Sequence, residues 1–208
     1  MENKSIEQDT EHKILMAAER EFLTKGYAGA RTSSIAEAAG VTHAMFHYYF
    51  RTKEKIFEKI ISEKVELFKE MMFDTVTDEK ISFEEKLKKI IARHLDFISA
   101  NPYLPRFLVG EMWKESSQSD IFIREITKNL PILLDQLQRG IDEGAEKGIY
   151  RKLDARMLLM DILSLNIVPF LATPLLEAIT GQQIVVDNEF IQQRKEENFE
   201  TIIRKLRP

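Results

Sequence analysis

The sequence predicts an all-α protein of about nine helices, a small three-helix head followed by a larger helical body. Three observations carry that expectation. Apolar residues recur at helical spacing from Ile14 to Leu206, and no alternating stretch is longer than Ile184-Val185-Val186. Helix starts and stops punctuate the chain: Ser82 and Glu85 have capping-box spacing, Asp154 precedes an apolar run, and Gly26 and Gly148 follow helical patterns. No internal repeat and no Pro/Gly linker divides the 208 residues, so a helix has to join head to body.

Residues 1–9 are expected to form a loose polar tail. The first helix covers about 10–25, with Ile14, Leu15, Ala18 and Phe22 on one face and Gly26 as its stop. Short helices follow at about 33–39 and 43–49. Thr32 can N-cap the first and Thr42 the second, because a hydroxyl accepts a hydrogen bond from a free N–H of the opening turn. Ile35, Ala36 and Ala39 form a small apolar face, Gly40 tolerates the left-handed conformation that ends a helix, and Val41 can plug the turn. Two short helices on a glycine-containing turn make a helix-turn-helix, whose second helix usually enters a DNA major groove.

A long helix at about 53–73, capped by Thr52, carries Ile56, Phe57, Ile60, Ile61, Val65, Phe68 and Met72 and links head to body. The body continues with helices at about 83–100 and 103–115, and one from Asp120 to Lys147 that Pro131 kinks or breaks. A helix at about 155–168 is apolar on most sides and is expected to break at Pro169 and Pro174. Such a helix is buried in a core or in an interface. The last, about 188–206, shows Ile191, Phe199, Ile202, Ile203 and Leu206.

Composition narrows the function classes. Hydrophobic residues make up 44% and charged residues 31%, values of a soluble globular chain. Cysteine is absent, which excludes disulfides, thiol catalysis and Cys-based zinc sites. The polar N-terminus lacks the apolar core of a secretory signal, and no stretch reads as a membrane span, so a cytoplasmic protein is expected. The net charge of −4 argues against a generally basic nucleic-acid coat. Within 31–55, Arg31, Arg51, Lys53 and Lys55 face only Glu37 and Glu54, so any DNA binding rests on a small local set of phosphate contacts.

The stretch from Gly26 to Phe57, GYAGARTSSIAEAAGVTHAMFHYYFRTKEKIF, closely resembles the DNA-binding signature of tetracycline-repressor-type (TetR) regulators. The matching pieces are Gly26-Tyr27, Thr32, Ile35-Ala36, Ala39-Gly40-Val41-Thr42, the aromatic run from Phe46 to Phe50, and Lys53-Glu54. Departures fall at Ala44 and Met45, where the family often has Gly-Thr or Gly-Ser, and at His47, where it usually has a phosphate-touching Tyr. The resemblance implies a DNA-binding domain over 10–53 and an effector-binding and dimerisation domain over 54–208. It also implies DNA contacts at Arg31, Thr32, Ser33, Thr42, His43, Ala44, Met45, His47, Tyr48, Tyr49 and Lys53. Arg31 and Lys53 can pair with phosphates, and Thr32, Thr42 and Tyr48 can donate hydrogen bonds to them. Ala44 and Met45 can at most touch thymine methyls. Phe46, and in part Tyr49, also read as ordinary core.

His43 and His47 have i, i+4 spacing, which can bind a metal, but no third ligand stands nearby, so no metal site is expected. In the body, the resemblance implies helices caging a largely apolar small ligand. The candidates are His94, Phe97, Phe107, Trp113, Phe122, Met157, Met160, Asp161 and Asn166, each of which reads equally well as core or interface. No cofactor and no catalytic residue is expected: nucleophile–base pairs and phosphate loops are missing. The expected function is a ligand-released repressor. It would bind a palindromic double-stranded operator as a homodimer, paired through the helices at 155–168 and 188–206. The alternatives are an all-α carrier or enzyme, and a regulator that activates or answers a protein partner.

Overall fold

The computed structural model describes residues 2–112, 117–128 and 130–208. These form ten helices and no strand: α1 (Glu2–Gly29), α2 (Thr32–Ala38), α3 (His43–Phe50), α4 (Lys53–Thr77), α5 (Phe83–Ala100), α6 (Leu104–Met112), α7 (Ser117–Thr127), α8 (Leu130–Glu146), α9 (Ala155–Thr180) and α10 (Asn188–Leu206). They fall into two compact units. One holds Met1–Glu66 with Arg106–Ile126, the other Leu67–Pro105 with Thr127–Pro208. Helix α4 is shared, its N-terminal part in the first unit and its remainder in the second.

In the first unit, Ile14, Ala18, Phe22, Ile35, Phe46, Ile56 and Phe57 are buried, so α1 to α4 close on one apolar centre. The expected polar tail is helical instead: α1 begins at Glu2. Nothing between there and Lys25 breaks a helix, and Lys13 pairs with Asp9 one turn back at 2.6 Å. Gly26, at φ 69, interrupts the helical geometry as expected. Most of α6 and α7, within Arg106–Ile126, belongs to this unit. Glu111 accepts a hydrogen bond from the Tyr27 backbone N–H at 3.3 Å, and Arg124 pairs with Glu58 of α4.

In the second unit, α5, α8, α9 and α10 surround Leu87, Ile90, Ile91, Leu137, Ile141, Leu158, Ile162, Ile202, Ile203 and Leu206. The capping box is made in full: the Glu85 N–H donates to Ser82, and the Ser82 N–H donates to the Glu85 carboxylate. Tyr150 lies flat on α8, which requires a glycine there. A Cβ on Gly144 would stand 1.9 Å from the Tyr150 ring.

The helix foreseen from Asp120 to Lys147 with a kink or break at Pro131 is two helices, α7 and α8, and Pro131 sits in the first turn of α8, where its missing N–H costs nothing. Conversely, α9 runs unbroken through Pro169 and Pro174. Pro169 cannot donate to the Leu165 carbonyl four residues back. That carbonyl instead accepts from the Arg194 guanidinium and the Asn198 amide of α10, both at 3.3 Å. Tertiary partners thus replace the lost helical bond. As a consequence the apolar run is 26 residues rather than about 14, and α9 is long and apolar enough by length and composition to cross a membrane, contrary to the expectation of no such stretch.

Candidate nucleic-acid interface

The helix-turn-helix is assembled by short-range bonds. The Val41 N–H donates to the Ala36 carbonyl across the turn, and Gly40 takes φ 67. Thr42 caps α3 as expected, accepting from the Met45 N–H at 3.2 Å. Thr32 does not cap α2. Arg31 occupies the cap position without a side-chain bond, and the Thr32 hydroxyl lies 3.0 Å from His43 Nε2. One polar bond therefore ties α2 to α3.

Helix α3 turns Phe46 and Phe50 inward and leaves His43, Ala44, Met45, His47 and Tyr48 outside. Tyr48 is 75% exposed, and Tyr49 is half-buried against it, ring centroids 5.3 Å apart. Arg31, Ser33 and Thr42 are exposed at the same motif. The His43 and His47 rings meet edge to face at 4.4 Å. His47 Nδ1 lies 2.8 Å from the Arg51 carbonyl oxygen, which can only accept, so that nitrogen carries a proton. Lys53 is placed differently from a free cation. Its ammonium donates to the Tyr27 and Ala30 carbonyls at 2.9 and 3.0 Å and sits over the Tyr27 ring. Tyr27 in turn packs on Phe22 and Phe57. This latch went unread in the sequence, although Gly26-Tyr27 and Lys53 belong to one motif.

The residues expected around a ligand are scattered. His94 and Phe97 both pack on Phe68, at 5.6 and 5.1 Å. Asn166 is fully buried. Its amide donates to the Ile91 carbonyl and to His94 Nδ1, and its oxygen accepts from Asn198. Because Ile91 offers only an acceptor, the amide orientation is set and His94 is neutral with its proton on Nε2. Burial pushes the His94 pKa down to about 4. Met157 and Met160 face outward on α9, and Asp161 pairs with Lys205. Phe107 packs on Phe57 in the first unit. Trp113 and the Phe122 side chain lie outside the described residues. Asn198 was missed, although it stands at an apolar-face position of α10, seven residues after Ile191 and four before Ile202.

A capped, outward-facing helix behind a glycine turn defines the class: a helix-turn-helix DNA-binding protein. The model for bacterial regulatory proteins of the tetR family matches residues 14–60. The fatty acid metabolism regulator protein of Bacillus subtilis is 30% identical over 146 residues, 70% of this chain and 73% of that relative. The chain belongs to the TetR family of transcriptional regulators. Among solved structures, the regulator FadR from Bacillus subtilis in complex with stearoyl-CoA superposes with a TM-score of 0.67 at 22% identity, over 93% of this chain and 98% of that one. AibR in complex with isovaleryl coenzyme A and operator DNA gives 0.70 at 15%, over 92% and 97%.

Proposed function

We propose that this regulator is a repressor that binds a palindromic operator as a homodimer in the cytoplasm and is released by an apolar acyl thioester. The observation that carries the DNA part is the outward face of α3, from His43 to Tyr48, on a motif that the family model matches. The ligand class is supported by the stearoyl-CoA and isovaleryl coenzyme A complexes of its structural neighbours and by the name of its relative. Residues 10–53 form the DNA-binding part and 54–208 the effector and dimerisation part. Ligand is received in the second unit beside Phe68, His94 and Phe97. Helix α4 carries the response, being one uninterrupted helix shared by both units.

The dimer forms through α9 and α10. Met160 (59% exposed) with Met157, Leu163 and Val168 gives α9 an apolar outer face that a second copy would cover. Met160→Asp yields monomers by light scattering and loses operator binding, since two heads act together. A dimer of unchanged strength would place the interface elsewhere. Ile202 of α10 is 1% exposed in the core, so Ile202→Asp unfolds the second unit and is no test of the dimer.

The test of the switch is a titration. Duplexes selected by the protein from a random pool are bound, and acyl-CoA thioesters of increasing chain length are added. One length class weakens DNA binding, and the selected duplex weakens binding of that thioester by the same factor, typically about 1–3 kcal/mol. Affinity unmoved by every thioester would refute this ligand class.

A further inference from the structure

We propose that Arg51 binds a DNA phosphate and is held in position by His47, while Lys53, the cation that the family motif suggests, is structural. The inference rests on the DNA-binding reading above and concerns which cations carry it.

Four Lys/Arg residues lie in 31–55. Lys55 pairs with Glu58 at 3.0 Å. Lys53 is half-buried, and its ammonium spends two of its three N–H donors on backbone carbonyls. Arg31 and Arg51 are exposed, and neither guanidinium has an ion pair or hydrogen bond among the described residues. An uncommitted guanidinium beside a groove-reading helix has the fork geometry that phosphate oxygens match.

The backbone at Arg51 supplies the second observation. Its φ of 57 is the only positive value at a non-glycine among the described residues. With ψ −49, and with the Thr52 N–H donating to the Phe50 carbonyl, it forms the γ-turn of positive φ, which is rare and strained. Glycine would occupy this position without cost. A side chain here is strained. His47 grips the residue at both ends: its carbonyl accepts from the Arg51 N–H at 3.0 Å, and its ring Nδ1–H donates to the Arg51 carbonyl at 2.8 Å. The strained turn is therefore pinned to α3, and the Arg51 side chain leaves from the end of that helix, where a groove-bound helix meets the sugar-phosphate backbone. His47 is thus a positioning residue whose ring is committed to the turn.

The experiment measures DNA affinity by fluorescence anisotropy over a range of KCl concentrations. The probes are a mixed-sequence duplex and the duplex selected by the wild-type protein, and thermal melts run alongside. Arg51→Gly keeps or raises the melting temperature, weakens binding roughly tenfold per head, and makes the log K against log salt slope shallower by about 0.9 per head. Arg51→Lys restores most of the slope. Lys53→Met lowers the melting temperature and leaves the slope alone. His47→Asn, whose amide reaches the place of Nδ1, keeps the wild-type slope. His47→Ala behaves like Arg51→Gly and adds nothing to it in the double variant. A wild-type slope in Arg51→Gly overturns the proposal. So does a shallower slope in His47→Asn, which would put a phosphate on His47 itself. Wild-type protein that binds neither duplex at any salt overturns the DNA reading, and this inference with it.

Discussion

In the first unit, α3 buries Phe46 and Phe50 and presents His43, His47 and Tyr48; in the second, α9 buries Asn166 and presents Met157, Met160, Leu163 and Val168. The two helices follow opposite rules. Helix α3 is finished as part of a single chain, since its rings fill a core, His43 and His47 bond to Thr32 and to the Arg51 carbonyl, and Tyr48 stands exposed. Helix α9 is apolar on both sides, burying Ala155, Leu158 and Ile162 along with Asn166. Its inner polar groups are satisfied by α5 and α10, and its outer apolar face has no use in a lone chain. The contrast separates a helix-turn-helix surface of polar and aromatic groups from an exposed apolar one.

Phe46→Ala empties the centre of the head and should cost about 3–5 kcal/mol in urea unfolding. A loss under about 1 kcal/mol would mean that α3 is not anchored through its rings.

The buried polar chain of the second unit should reveal itself through pH. His94 is held neutral by burial, with a folded pKa of about 4 against an ordinary 6.5. The unfolded chain therefore takes up the proton first. This contribution is complete above about pH 6.5, and about 3 kcal/mol of it is lost as pH falls to 4. His94→Gln should flatten the acid limb of stability in that window. An identical limb would show that the wild-type loss comes from other groups.

Gly144→Ala normally helps a helix, but here the new methyl meets the Tyr150 ring, so a loss of about 1–3 kcal/mol is expected by thermal melt. A gain in stability would show that the ring moves freely. Thr42→Ala removes only a cap on an exposed helix and should cost about 1 kcal/mol. DNA affinity that fell by more than this loss of fold predicts would give the Thr42 hydroxyl a direct contact as well.

Much of the head was legible because its determinants are local. Gly40, the Thr42 cap and the buried Phe46, like the Ser82–Glu85 box of the second unit, each depend on residues within a few positions of one another. Other features were decided by residues far away in the chain. Thr32 reads as a cap by position, yet its hydroxyl faces His43 because α2 and α3 cross there. Lys53 reads as a phosphate cation, yet the end of α1 supplies carbonyls that engage it. Pro169 reads as a break, yet α10 brings Arg194 and Asn198 to the carbonyl it orphans.

The helical class and the helix-turn-helix are written in the sequence, since spacing and capping act within a turn or two of chain. Only the tertiary structure decided which polar side chains are spent inside the protein and which stay available to a partner. Donors and acceptors are paired by proximity in space, and neither the Asn166–Asn198 bond, across 32 residues, nor the grip of Lys53 on Tyr27, across 26, follows from any local pattern.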